Sequence, residues 1–137
     1  MKNPMTSRRE IRGFSLIEVL VVMAILATIM ALVARNVFKG KEKANWQAAQ
    51  IQVSKLEQAA QEFYLDTGRL PNSPEDLVRD TGDSMWSGPY VKEKMLKDPW
   101  GQPVTMREAE DGVAFCSYGR DKSPGGSKYD ADVCSNE

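Results

Sequence analysis

The sequence predicts an α+β chain: one long amino-terminal helix, half membrane-spanning and half amphipathic, packed by a small antiparallel β-sheet, then a carboxyl-terminal loop. Three observations predict it. Residues 14–34 hold one ionisable side chain, Glu18, in twenty-one positions, close to the ~20 apolar residues with which a helix crosses a bilayer core. Residues 41–67 then run without proline and place Trp46, Ala49, Val53, Leu56, Ala60 and Phe63 at spacings of three and four. That is one apolar stripe on an otherwise polar helix. Further on, two short runs at 103–107 and 112–118, joined by a polar linker, read as a β-hairpin that packs on the helix.

The amino-terminal run begins behind a basic leader, Lys2, Arg8, Arg9 and Arg12 against Glu10. Its Glu18 is costly, since a carboxylate at mid-bilayer loses roughly 2.5–3.5 kcal/mol on insertion scales. An ordinary secretory signal would need a small-x-small cleavage site after the core. The residues LVARN supply a weak one, and neither that reading nor a plain signal anchor gives Glu18 a role. Gly68 is a natural helix stop, so one helix from 14 to 66 would be roughly 80 Å long. A break at Gly40 into two helices is the other reading, because glycine costs about 1 kcal/mol in a helix interior.

After Gly68, Ser73-Pro74-Glu75-Asp76 reads as an N-cap, a first-turn proline and acids at the positive helix end, predicting a short helix over 74–79. Residues 83–97 have no clean period and are expected to be a loop anchored by Trp86, Tyr90 and Leu96. Asp98-Pro99-Trp100-Gly101 is strong turn chemistry. From Gly119 onward the tail is expected to be loop.

Composition bounds the function. In 137 residues with net charge −1, a leader and a membrane helix leave room for one small soluble part. Taking the leader's four basic and one acidic residue from 18 and 19 leaves 14 and 18, near −4, which argues against nucleic-acid binding. There is no His, and no nucleophile–base set, phosphate loop or Cys/His metal cluster is visible, so no enzyme is expected. Basic residues flank the apolar run on both sides, so charge alone does not orient it. Cys116 and Cys134 read as a disulfide in an oxidising compartment, which favours an outward carboxyl end; two buried free thiols are the alternative.

The order basic leader, Gly13-Phe14, then Glu18 as fifth residue of the apolar run resembles the processing site of type IV pilins and pseudopilins. The resemblance implies that a prepilin peptidase cuts after Gly13 and methylates Phe14. It also implies that Glu18 pairs with the new α-amino group of a neighbouring copy; pairing with its own terminus is the alternative. YLDTGRLP from Tyr64, KDPWGQP around Trp100, and SYGRDKSPGGSKYDADV from Ser117 resemble the major pseudopilins of type II secretion systems. The implied fold is pilin-like, in four parts: a cleaved leader 1–13, a filament-core helix 14–34, its amphipathic continuation 35–67 and a small globular part 68–137.

The implied role is a subunit of a helical homo-oligomeric filament in the periplasm, anchored in the bacterial inner membrane. Its partners would be the peptidase, minor pseudopilins and an inner-membrane assembly platform, and the filament would help drive folded proteins through an outer-membrane channel. Calcium is the expected cofactor. Asp121, Asp130 and Asp132 would supply carboxylates, and Tyr118 a main-chain oxygen by resemblance, to an ion that takes six to eight oxygens. A solvated acidic tail is the bland reading of the same residues.

The chain departs from that family's pattern in three ways. Arg35 and Ala27 stand where proline and glycine are common, Val-Cys-Ser-Asn-Glu ends the chain in place of Ile-Gly-Asn-Trp, and a cysteine pair is present. The cysteines keep a type IV pilin or competence-type subunit as the alternative. A solitary membrane-anchored periplasmic binding domain is the reading from another class.

Overall fold

A computed structural model describes residues 13–136; the leader residues Lys2, Arg8, Arg9, Glu10 and Arg12 lie outside them. One helix, α1, runs Leu16–Thr67 through Gly40 without a break. Helix-forming side chains around Gly40 outweigh its local cost, and Arg35 puts no proline kink in the ladder. The helix stops where expected. Gly68 takes φ +74° and its N–H donates to the Tyr64 carbonyl at 2.8 Å, a left-handed C-terminal stop.

The chain divides into two compact units, 1–38 and 39–137. In the first, every described residue is exposed. In the second, the predicted stripe is the core: Ala49, Val53, Leu56, Ala60 and Phe63 are buried, Ala59 joins them, and half-buried Trp46 packs alongside. Leu77, Val104, Val113, Phe115 and Val133 close over it from the other side.

The segment after Gly68 is held by specific bonds. A single 3₁₀ turn, Pro74–Leu77, replaces the helix expected over 74–79, and it buries Leu77. Ser73 occupies the cap position, but its side chain does not cap. Asp76 instead reaches back to accept the Asn72 N–H at 2.9 Å. Residues 83–97 are loop apart from a second 3₁₀ turn, Glu93–Leu96, which the sequence did not signal. Trp86, Tyr90 and Leu96 pack on the core as expected. Gln52 on α1 donates to the carbonyls of Met95 and Lys97, both at 2.7 Å, and so fixes this loop to the helix.

Three antiparallel strands follow in the order β1 (Thr105–Ala109), β2 (Gly112–Ser117), β3 (Val133–Cys134). The hairpin register pairs Thr105 with Cys116 and Ala109 with Gly112, so β1 begins two residues later than its apolar run suggested. β3 lies in the tail that had been expected to be loop throughout. Two residues of tail become a strand only because Cys116 pairs with Cys134 and Ser117 with Val133.

Candidate functional site

Two places carry the residues singled out by sequence, one in each compact unit. At the first, Gly13 and Phe14 precede the helix and are exposed. Ser15 is the last residue before α1, and its N–H donates to Glu18 Oε2 at 3.2 Å. That is half of a capping box: a Glu three residues past the cap accepts a helix-end donor, and its charge opposes the positive helix end. The S-x-x-E spacing at 15–18 is the sequence signal for this arrangement. Glu18 thus has a local role in the single chain, and its carboxylate stays exposed one turn from Phe14.

The second place is the carboxyl-terminal loop between β2 and β3. Cys116 and Cys134 form a disulfide across directly paired residues, Cα–Cα 4.2 Å. Arg107 of β1 also reaches the Cys134 sulfur. Within the loop, Arg120 grips Asp130 with two bonds, Nε to Oδ1 at 2.8 Å and Nη2 to Oδ2 at 2.9 Å. Its backbone N–H also donates to the Tyr129 carbonyl at 2.9 Å. Hydrogen bonding from Arg120 holds the Asp130 carboxyl below its ordinary range.

The other two candidate carboxylates have partners of their own. Asp132 Oδ1 accepts the Gly125 N–H at 3.0 Å, and Asp121 Oδ1 accepts the Ser123 N–H at 3.1 Å. Tyr118 follows β2 directly and is half-buried. Among the described residues no three acidic, cysteine or histidine side chains gather as metal ligands. As arranged, each of the three carboxylates meets a protein donor, and the guanidinium of Arg120 offsets the charge of Asp130.

The chain approaches itself closely here. Gly119 (φ +72°) has no room for a side chain, since a Cβ would lie 2.7 Å from the Ala131 carbonyl oxygen. Below the loop, Asp98 is the polar pivot of the DPWG turn. Buried to 5 % exposure, it accepts the N–H groups of Trp100 (3.0 Å) and Gln102 (2.8 Å) and the Ser117 hydroxyl (2.6 Å). Trp100 Nε1 meanwhile donates to Glu42 of α1 at 3.0 Å. The sequence had marked this stretch as a turn and gave no sign of the buried carboxylate that ties it to β2.

Comparison with known proteins matches both units. The family described as type II secretion system protein G covers residues 36–136, and the prokaryotic N-terminal methylation motif covers 8–34. The type II secretion system core protein G of Xanthomonas campestris pv. campestris is 39 % identical over 130 residues, covering 93 % of this chain and 91 % of that protein. Its counterpart from Vibrio cholerae is 30 % identical over 138 residues, covering 94 % of each. The crystal structure of the major pseudopilin from the type 2 secretion system of enterohaemorrhagic Escherichia coli superposes with a TM-score of 0.54 at 21 % identity. It covers 70 % of this chain and 86 % of that one, a likeness of fold. With one model spanning the small domain and another spanning the processing junction, this chain belongs to the type II secretion system protein G family.

Proposed function

We propose that this chain is the building subunit of a type II secretion pseudopilus, anchored by its apolar helix in the inner membrane with the small domain in the periplasm. The observation that carries this reading is the joint presence of the methylation motif and the protein G domain on one continuous helix. The role is mechanical. Copies would add at the membrane, their apolar helices forming the filament's centre and their small domains its outer face, and the growing rod would help move folded proteins outward.

The chemistry of assembly falls to Phe14 and Glu18. Cutting after Gly13 would leave a positive α-amino group on Phe14, at the head of an apolar helix. In the single chain Glu18 accepts one backbone N–H from Ser15. Its capacity is larger, since an ionised carboxylate can accept about four bonds. A neighbouring copy's amine is a stronger partner than a neutral N–H, and stronger still away from water. The prepilin peptidase, minor pseudopilins and an assembly platform are the partners this reading requires.

Two variants separate cutting from building. Gly13→Leu is expected to keep the leader attached, seen as a slower band on an immunoblot. Glu18→Ala is expected to be cut normally and yet to yield no cross-linked ladder of copies in intact cells. A cut Glu18→Ala chain that gives the wild-type ladder would remove the charge-pairing step from this account.

A further inference from the structure

We propose that Arg120 is the resident cation of the carboxyl-terminal loop, and that its guanidinium and the Cys116–Cys134 crosslink together close the loop without a divalent metal. The inference goes beyond the subunit role. It starts from charge. Between Gly119 and Asp132 lie three acidic residues, Asp121, Asp130 and Asp132, and three basic ones, Arg120, Lys122 and Lys128. Calcium is held by oxygens, commonly carboxylates whose negative charge it offsets, and in this loop acidic and basic side chains already balance.

Geometry says the same. The guanidinium is bidentate on Asp130, the fork-to-fork arrangement that suits arginine and no other side chain. Both Asp130 oxygens accept from the guanidinium, and a divalent ion approaching them would meet a fixed positive charge within a few ångströms. Because the Arg120 N–H also binds the Tyr129 carbonyl, one residue joins the outgoing and returning arms of the loop by side chain and backbone together. The arms touch again where Gly126 (φ +93°) lies against the Asp130 backbone too closely for any Cβ. At the base the disulfide links β2 to β3. Two closures thus stand at two levels, the ion pair at mid-loop and the crosslink at the root.

The test uses the leader-free full-length chain in detergent micelles. Limited trypsin digestion is followed by mass spectrometry of cleavage after Lys122 and Lys128, both exposed. Each sample is run with calcium or with chelator, oxidised or reduced. For the wild-type chain, cleavage rates at both lysines are expected to be the same with calcium and with chelator in either redox state. Arg120→Ala, reduced and in chelator, is expected to be cut about threefold faster, the scale of a partly exposed ion pair. Asp130→Asn should match it, and the double variant should be no faster than either single one. A wild-type loop that calcium protects or chelator exposes would overturn the proposal. So would an Arg120→Ala chain cut at the wild-type rate after reduction. Filament assembly is not the readout, so either failure would leave the subunit reading where it stands.

Discussion

Along α1 the same secondary structure meets opposite surroundings. From residue 13 to residue 40 every side chain is exposed, including Leu16, Ile17, Leu20, Met23, Leu26 and Ile29. From Ala49 to Phe63 a narrow stripe is buried to a few per cent or less, while Ile51 and Leu65 off the stripe stay exposed. The difference lies in how apolar residues are spread around the helix. A stripe with a polar reverse face can be satisfied by one small domain, and this chain supplies that domain itself. A helix apolar on all sides cannot be covered that way and needs lipid or other helices. One half of α1 is therefore folded by its own chain, and the other half is built for an environment the single chain does not contain.

The largest expected effect breaks the comparison at its buried end. Phe63 is fully buried against Tyr90, with ring centroids 5.6 Å apart in an edge-on arrangement, and Arg69 stacks over its ring at 5.0 Å. Phe63→Ala should cost about 3–5 kcal/mol, read as a lower melting midpoint of the small domain by near-ultraviolet circular dichroism. Leu20→Ala should leave that midpoint within about 0.5 kcal/mol. Equal losses from both would mean that the amino-terminal half also draws its stability from the domain.

Next in size is the disulfide. Cys116→Ser should cost about 3 kcal/mol in the chain-entropy view for a loop of this length, measured by the same melt under oxidising conditions. No difference from the wild-type chain would mean that β3 is held by Val133 and its register alone.

A smaller loss is expected from Asp98→Ala, about 2 kcal/mol, because three donors would lose their buried acceptor together. Denaturant unfolding reads it. A neutral outcome would show that water replaces the carboxylate and that the DPWG turn stands on its proline and glycine.

The smallest effect is a pH dependence at the end of α1. Asp66 accepts from the Ser87 hydroxyl and from Tyr90 Oη at 2.8 Å, and these bonds hold its carboxyl below the ordinary 3.8. A depressed folded-state value stabilises fully above the ordinary value and is lost as the pH falls through the depressed one. Melting midpoints of the wild-type chain and Asp66→Asn should therefore differ at neutral pH and converge in acid below pH 3.8. A constant gap across that range would assign the effect to shape rather than charge.

How much of this was legible follows from the range of each interaction. The stripe from Trp46 to Phe63, the stop at Gly68 and the turn at Asp98 rest on neighbours within a few residues, and the sequence displays them. The strand at Val133–Cys134 does not, because it exists only by pairing with β2. The Glu93–Leu96 turn is equally hidden, being held by Gln52 more than forty residues away. At the carboxyl-terminal loop the three aspartates were visible and invited a cation. What they bind depends on which donor the folded loop brings to each, and the ten-residue step from Arg120 to Asp130 follows no local periodicity.

The central claim is that the exposed half of α1 is made for a processed subunit, and the mass of the mature amino terminus tests it most directly. Protein purified from the membranes of a host that carries a prepilin peptidase should begin at Phe14 and carry one added methyl group. A chain that keeps Met1, or one that starts near Arg35, would contradict the account.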